Sequence, residues 1–132
     1  MNNKSLRILV VEDEEALAEY YKTVLESEGH KVFVARNGKE EFEIYEKEIR
    51  SHPFGKLPFD LIVSDNSMPE MTGIEAGQKI LELEPAQKFF FVTGEEQSIL
   101  DSFNVDGKNI DVEQKPFKTE KFLNKVEILT QN

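Results

Sequence analysis

The sequence predicts a single α/β domain in which helices cover both faces of a parallel five-stranded sheet. The first observation is that short apolar runs alternate with stretches whose apolar residues recur at helical spacing. The second is that these runs are continuously apolar, as expected of parallel strands buried on both faces. The third is length: 132 residues suit one compact domain, and we expect residues 1–132 to form it without a second domain.

The first half of the chain predicts three strands and two helices. Gly29 ends the first helix, and Asn37-Gly38 turns the chain after the second strand. The stretch from Ser51 to Pro58 is rich in proline and glycine and is predicted to be a lengthened loop. In chain order, the strands and helical stripes fall on residues 8–11, 16–25, 32–35, 42–49 and 61–63.

The second half predicts three helices and two strands. The third helix ends before Pro85, and a weaker helix is expected over residues 96–103. The fifth strand gives the faintest signal, and Thr119 is predicted to be the N-cap of the last helix. In chain order, the apolar positions of these elements fall on residues 74–81, 89–92, 96–103, 110–112 and 122–129.

Regular alternation of strands and helices implies a parallel sheet joined by right-handed crossovers. Five such units suit the flavodoxin-like doubly wound strand order 2-1-3-4-5. Ligands of open parallel sheets bind beyond the carboxyl ends of the strands. Because strands 1, 3, 4 and 5 are successive neighbours in this order, we expect the residues that follow them to converge at one edge.

The composition argues against several classes of function. The formal net charge is −10, from 26 acidic and 16 basic residues, and such a surface repels nucleic-acid phosphates and anionic lipids. We therefore expect no nucleic-acid partner and no membrane partner. The chain has no cysteine, which excludes disulfides, thiolate metal sites and a cysteine nucleophile. The apolar stretch near the start is broken by Arg7 and is too short for a signal peptide, which predicts a cytoplasmic protein.

Polar residues follow four of the predicted strands. Glu12 and Asp13 follow the first strand, Asp65 the third, Thr93 the fourth and Lys115 the fifth. Taken singly, an acid or a threonine after a strand is often a helix cap, and a Lys-Pro pair is often a turn. Their placement after four neighbouring strands favours a shared site instead.

This set of side chains suits phosphoryl transfer to a carboxylate. Three clustered carboxylates need a counter-charge, and oxygen ligands of this kind suit Mg²⁺. Lys115 supplies a fixed cation for one phosphate oxygen, and Thr93 supplies a hydroxyl for another. Asp65 is then the nucleophile that forms an aspartyl phosphate. The neighbouring acid, Glu14, is expected to serve as the N-cap of the first helix.

Four motifs in order give the sequence a family resemblance. They are Val11-Glu12-Asp13-Glu14, the stretch from Asp65 to Gly73 with Met68-Pro69 inside it, Val92-Thr93-Gly94 and Lys115-Pro116-Phe117. Together they resemble the receiver domain of two-component response regulators over essentially the whole chain. The resemblance implies that Asp65 is the phosphoacceptor. It further implies that Glu12 and Asp13 hold Mg²⁺ with Asp65 and the backbone carbonyl of Ser67.

The resemblance also assigns roles around the switch, and the sequence departs from the family pattern in places. Thr93 looks like the switch hydroxyl, Lys115 like its cation partner, and the bond before Pro116 like the family's cis peptide. The acidic pair is Glu-Asp where Asp-Asp is usual. Three residues before the lysine, Val112 stands where the family usually has Tyr or Phe. The usual coupling between threonine and an aromatic ring is therefore expected to be absent or altered.

The resemblance implies a signalling protein, and because the sequence ends with the last predicted helix we expect no output domain. A sensor histidine kinase or a histidine phosphotransfer protein would donate the phosphoryl group to Asp65. Output would pass through an unidentified downstream protein or a further relay step, with a partner face on the fourth helix, fifth strand and last helix. The domain would be no enzyme beyond its own phosphorylation and dephosphorylation, and Glu95 lies where the family tunes the latter.

Three alternatives stand beside this interpretation. A pseudo-receiver would keep the fold and bind partners without being phosphorylated, and Val112 favours it weakly. A phosphatase of the haloacid dehalogenase type needs a second aspartate two residues after its nucleophile, where this chain has Ser67. A flavodoxin-like carrier of FMN needs a phosphate loop after the first strand, where Glu12-Asp13-Glu14 would repel phosphate.

Overall fold

A computed structural model describes residues 4–53, 55–65 and 72–131, and its described strands form one parallel sheet of order β2-β1-β3-β4-β5. The predicted doubly wound order is therefore confirmed. The elements are β1 (Arg7–Val11), α1 (Glu15–Ser27), β2 (Lys31–Ala35), α2 (Gly38–Arg50), β3 (Leu61–Asp65), α3 (Gly73–Leu83), β4 (Phe89–Thr93), α4 (Glu96–Ser102), β5 (Ile110–Gln114) and α5 (Thr119–Thr130).

The three central strands, β1, β3 and β4, are buried on both faces, which explains why they contain continuous apolar runs. Successive side chains of a strand point to opposite faces. Leu9 and Val11 of β1 accordingly join the core on one side, with residues of α2, α3 and α4. Ile8 and Val10 join the core on the other side, with residues of α1 and α5. In the described part of the chain, no helix is long and apolar enough to cross a membrane.

Two helix starts differ from the sequence-based expectation. Asn37-Gly38 begins α2, since the Asn37 side chain accepts a hydrogen bond from the Glu40 amide at 2.8 Å. The prediction that Thr119 caps the last helix is wrong. Thr119 is the first residue of α5 and follows Lys118, and its hydroxyl is hydrogen-bonded to the Tyr20 hydroxyl of α1. The Thr119 hydroxyl oxygen, which would accept the capping hydrogen bond, is bonded to α1 instead.

The fourth helix is short, as its sequence indicated. It has seven residues, one fewer than expected, and Ile99 is its one buried side chain. Glu95 stands at its N-cap position without a side-chain capping bond. Packing therefore contributes little to holding α4 against the sheet.

Glu41 of α2 is a buried acid that helical spacing did not reveal. Its side chain is fully buried one helical turn before Tyr45. Neither carboxyl oxygen has a hydrogen-bond partner among the described residues. Burial raises the pKa of Glu41 well above its ordinary value of 4.5. Because an unpaired buried charge is costly, Glu41 is held in its neutral form in the folded protein.

We expect Glu41→Gln to stabilise the protein more at pH 7.5 than at pH 4.5. The folded-state pKa is raised, so this group's contribution is complete below pH 4.5. The stabilisation from Glu41 is lost as pH rises from 4.5 towards the folded-state pKa, because the Glu41 carboxyl of the unfolded chain releases its proton first. Glutamine has no such proton. Thermal unfolding at both pH values should show a midpoint gain of ~3 °C or more at pH 7.5.

The matched control is Glu43→Gln, an exposed acid on the same helix. It should shift the midpoint little at either pH. An equal effect of Glu41→Gln at both pH values would contradict a neutral buried acid.

Candidate functional site

The carboxyl ends of β3 and β5 place an aspartate and a lysine in direct contact. Asp65 is the last residue of β3 and is 5% exposed, and Lys115 follows β5 directly. The Lys115 ammonium donates a hydrogen bond to Asp65 Oδ2 and forms an ion pair with it. Strand β4 lies between these strands, so the lysine side chain spans its end. Two sequence-predicted site residues, 50 positions apart, thus meet at the predicted edge.

Glu12 lies beside this pair with its side chain 1% exposed. One carboxyl oxygen accepts a hydrogen bond from the Glu14 amide at 3.1 Å. Burial first, and then the neighbouring Asp65 carboxyl, raise the pKa of Glu12 to about 8, although Lys115 and the Glu14 amide act in the opposite direction. Glu12 therefore holds a proton at neutral pH in the protein alone.

The acids present fit a hard cation. Glu12 Oε1 is buried and has no hydrogen-bond partner among the described residues, and a metal ion would satisfy it. Mg²⁺ is commonly held by one or two carboxylates, with water and phosphate as the other ligands. Asp13, the next residue after Glu12, is exposed to solvent. Ser67 lies outside the described residues.

Within the described ranges, no group of three or more acidic or histidine side chains could by itself hold a metal ion. The structure thus brings together two of the sequence-predicted acids, Glu12 and Asp65. The other positions named for the cation remain sequence-based expectations.

Thr93 ends β4, between the strands that carry Asp65 and Lys115. Its side chain is fully buried, and its hydroxyl oxygen accepts a hydrogen bond from the Glu95 amide at 2.9 Å. Its carbonyl accepts one from the Lys115 amide at 2.8 Å. The hydroxyl proton remains available for donation, because the oxygen acts as acceptor towards Glu95.

The segment after β5 has the backbone geometry that the sequence indicated. The Lys115-Pro116 peptide is cis, as expected. Phe117 stacks on the rings of Tyr21 and Phe122, which joins the segment to α1 and α5. Val112 is 5% exposed and lies in the core beneath α2, α3 and α4.

Sequence reasoning did not identify Gln114, the last residue of β5. Its amide nitrogen donates to the Gly94 carbonyl at 2.7 Å. Its amide oxygen accepts from the Glu96 amide at 3.1 Å. The available signal was a long polar side chain directly before Lys115, beside the short connection between β4 and α4. Glu14, by contrast, stands at the expected N-cap position of α1, but its side chain makes no capping bond.

Comparison with known proteins gives one consistent result. The family model "Response regulator receiver domain" matches residues 8–127. The response regulator receiver protein CpdR of Brucella abortus is 31% identical over 121 residues, covering 92% of this chain and 93% of CpdR. The chemotaxis protein CheY of Thermotoga maritima is 29% identical over 126 residues, covering 91% and 96%.

A solved structure agrees in fold. The response regulator TrrA of Thermotoga maritima, in complex with Mg²⁺-BeF, superimposes with a TM-score of 0.73 at 30% identity. The match covers 93% of this chain and 97% of TrrA. Fold, site and sequence therefore define an α/β signalling module with the CheY-like arrangement. The chain belongs to the response regulator receiver domain family of two-component signalling.

The ion pair should be visible as energetic coupling between Lys115 and Asp65. Lys115→Met leaves a buried aspartate without its counter-charge beside Glu12, and we expect a loss of about 1–3 kcal/mol in unfolding free energy. Adding Asp65→Asn removes the charge that needed compensation. The double variant should therefore lose less than the two single variants summed, by at least ~1 kcal/mol.

The measurement is urea unfolding in EDTA of the four members of the cycle. Lys118→Met, at an exposed lysine of the same segment, is the control and should couple weakly with Asp65→Asn. Additive losses for Lys115 and Asp65 would show that the pair contributes nothing.

Proposed function

We propose that this domain is a switch operated by Mg²⁺-dependent phosphorylation of Asp65. The observation that carries the proposal is the contact between the buried Asp65 carboxylate and the Lys115 ammonium, with the buried Glu12 carboxyl beside them. A buried carboxylate needs a counter-charge in any protein, so the pair supports the proposal through its place, at the sheet edge where parallel sheets commonly bind ligands. The family to which the chain belongs supports the same role.

The reaction is an in-line transfer to a carboxylate. An Asp65 oxygen attacks phosphorus, the bond from phosphorus to the donor's nitrogen or acyl oxygen breaks, and the leaving group keeps the electron pair. The Lys115 ammonium, which pairs with the free Asp65 carboxylate before the reaction, then contacts a phosphoryl oxygen. The Thr93 hydroxyl donates a hydrogen bond to another phosphoryl oxygen. Bound Mg²⁺ supplies charge neutralisation at the transferred group. Glu12 and Asp65 would hold it, with Asp13 and the Ser67 carbonyl as further proposed ligands.

The proposed donor is a sensor histidine kinase or a histidine phosphotransfer protein. Output is proposed to pass by protein contacts, either to a downstream target or along a relay. The short α4 supports a responsive surface here, because Ile99 is its one buried side chain and Leu100 is 44% exposed. An element with few buried contacts is displaced at low cost.

A second function, partner binding without phosphorylation, is favoured by Val112. This residue is a small side chain in the core at the position where the family usually has an aromatic switch residue. A pseudo-receiver would use the same surface in a single state.

Intact-protein mass after incubation with Mg²⁺ and acetyl phosphate decides between the two. We expect a gain of one phosphoryl group in the wild type. The gain should be absent from Asp65→Asn and from samples with EDTA, because one lacks the nucleophile and the other the metal. An unmodified wild type that also fails to bind beryllofluoride would favour the pseudo-receiver.

Glu95→Ala should change the lifetime of the phosphoryl group. The exposed Glu95 side chain stands two residues after Thr93, at the mouth of the site, where a carboxylate can act on the attacking water. We expect the decay rate to change by at least threefold, whereas Glu96→Ala on the first turn of α4 should leave it unaltered. Phosphate release from purified phosphoprotein measures both rates, and equal decay in all three proteins would rule out this role.

A further inference from the structure

The connection between β4 and α4 is held by one side chain from the neighbouring strand. It consists of Gly94 and Glu95, both exposed to solvent. Gln114 is paired in register with Thr93 at the end of β5. From there its side-chain amide bonds to both sides of the connection, donating to the Gly94 carbonyl at 2.7 Å and accepting from the Glu96 amide at 3.1 Å.

Few other interactions among the described residues hold this connection: the Glu95 amide bonds to Thr93, and the Glu95 carbonyl accepts from the Ser98 amide at 3.1 Å. A side chain added at Gly94 would meet no atom of the described residues within 4 Å. The N-cap residue of α4 makes no side-chain capping bond, and the helix buries Ile99 alone. Gln114 therefore supplies the hydrogen bonds that a capping residue and a packed loop would otherwise provide.

The hydrogen bonds of Gln114 bear directly on Thr93. Between the two backbone groups that Gln114 holds lies the Glu95 amide, which donates to the Thr93 hydroxyl oxygen at 2.9 Å. This bond selects the side-chain rotamer of Thr93 and leaves its hydroxyl proton for another acceptor. A loop that moved freely would take the Glu95 amide away and release the hydroxyl.

We propose that Gln114 is a positioning residue that fixes the orientation of the Thr93 hydroxyl by clamping Gly94 and Glu96. It also couples the end of β5 to the start of α4 through hydrogen bonds rather than through ring packing. The effect on phosphorylation rests on the function proposed for Asp65. The effect on Thr93 in the unmodified protein does not.

Gln114→Ala and Gln114→Glu test the clamp. Alanine removes both bonds, whereas glutamate keeps an acceptor for the Glu96 amide and loses the donor to Gly94. Gln97→Ala is the matched control, because the Gln97 amide of α4 bonds within its own helix, to Asp101 at 2.9 Å. NMR of the unmodified proteins gives the three-bond couplings that report the Thr93 rotamer, and the exchange rates of the Glu95 and Glu96 amides.

We expect one Thr93 rotamer in the wild type and in Gln97→Ala, and rotamer-averaged couplings in Gln114→Ala. Amide exchange at Glu95 and Glu96 should rise at least threefold in Gln114→Ala. The exchange rate of the Glu96 amide should rise less in Gln114→Glu than in Gln114→Ala, because glutamate keeps the acceptor for this amide. A single Thr93 rotamer in Gln114→Ala, or unchanged exchange, overturns the proposal.

Phosphorylation by acetyl phosphate is measured on the same variants. The rate should fall at least threefold in Gln114→Ala, with Mg²⁺ affinity unchanged, because Gln114 acts on Thr93 and not on the acids. Altered couplings with an unchanged rate would overturn the positioning role. A wild type that takes no phosphoryl group would refute the function proposed for Asp65, while the couplings would still decide whether Gln114 fixes Thr93.

Discussion

The structure depends on compensating the charge that two buried acids bring to one edge of the sheet. Glu12 directly follows β1 and Asp65 ends the neighbouring β3, and both are almost fully buried. Their counter-charge is Lys115, which follows β5 and reaches Asp65 across the end of β4. This contact can form only if β4 lies between β3 and β5, so it depends on the strand order. The strand order 2-1-3-4-5 thus solves an electrostatic problem as well as a packing problem, because it makes the ends of β1, β3, β4 and β5 adjacent.

Lys115 compensates the charge of the two acids only in part, and this affects the chemistry of the site. Burial, and after it the neighbouring Asp65 carboxyl, raise the pKa of Glu12 to about 8 although Lys115 acts in the opposite direction. Among the described residues, the Oε1 atom of Glu12 has no hydrogen-bond partner, and neither has the buried Ser64 hydroxyl. Buried polar atoms left in this state reduce stability, and native proteins retain them where a ligand satisfies them. The divalent cation and the phosphoryl group proposed for this edge would supply positive charge to the Glu12 carboxyl and acceptor oxygens to nearby donors.

The sequence predicted what depends on local pattern and missed what depends on distant partners. The central strands were recognisable because burial on both faces demands continuous apolar runs. Asp65 was recognisable because it closely follows such a run, and Lys115 because Lys115-Pro116-Phe117 follows the fainter pattern of the fifth strand. Thr119 was assigned as a cap because its hydroxyl suits one, yet that oxygen bonds to α1. Glu41 was hidden among the exposed acids of α2, since nothing in the local spacing indicates burial of a charge. Gln114 gave no signal because its hydrogen bonds cross from one strand to the next connection.

The residues next to α4 determine which contacts link the end of the sheet to this helix. Val112 fills the core and offers no ring that could change position between the sheet and α4. The nearest side chain on the same face of β5 is Gln114, whose contacts with this region are hydrogen bonds to backbone groups. Such bonds contribute about 0.5–1.5 kcal/mol each, because water replaces them when they break. A connection held in this way rearranges at lower cost than one that must repack a buried ring. Polar coupling at Gln114 and the weak anchoring of α4 therefore act together in the proposed switch, and we expect small changes at Thr93 to be transmitted to α4 at low energetic cost.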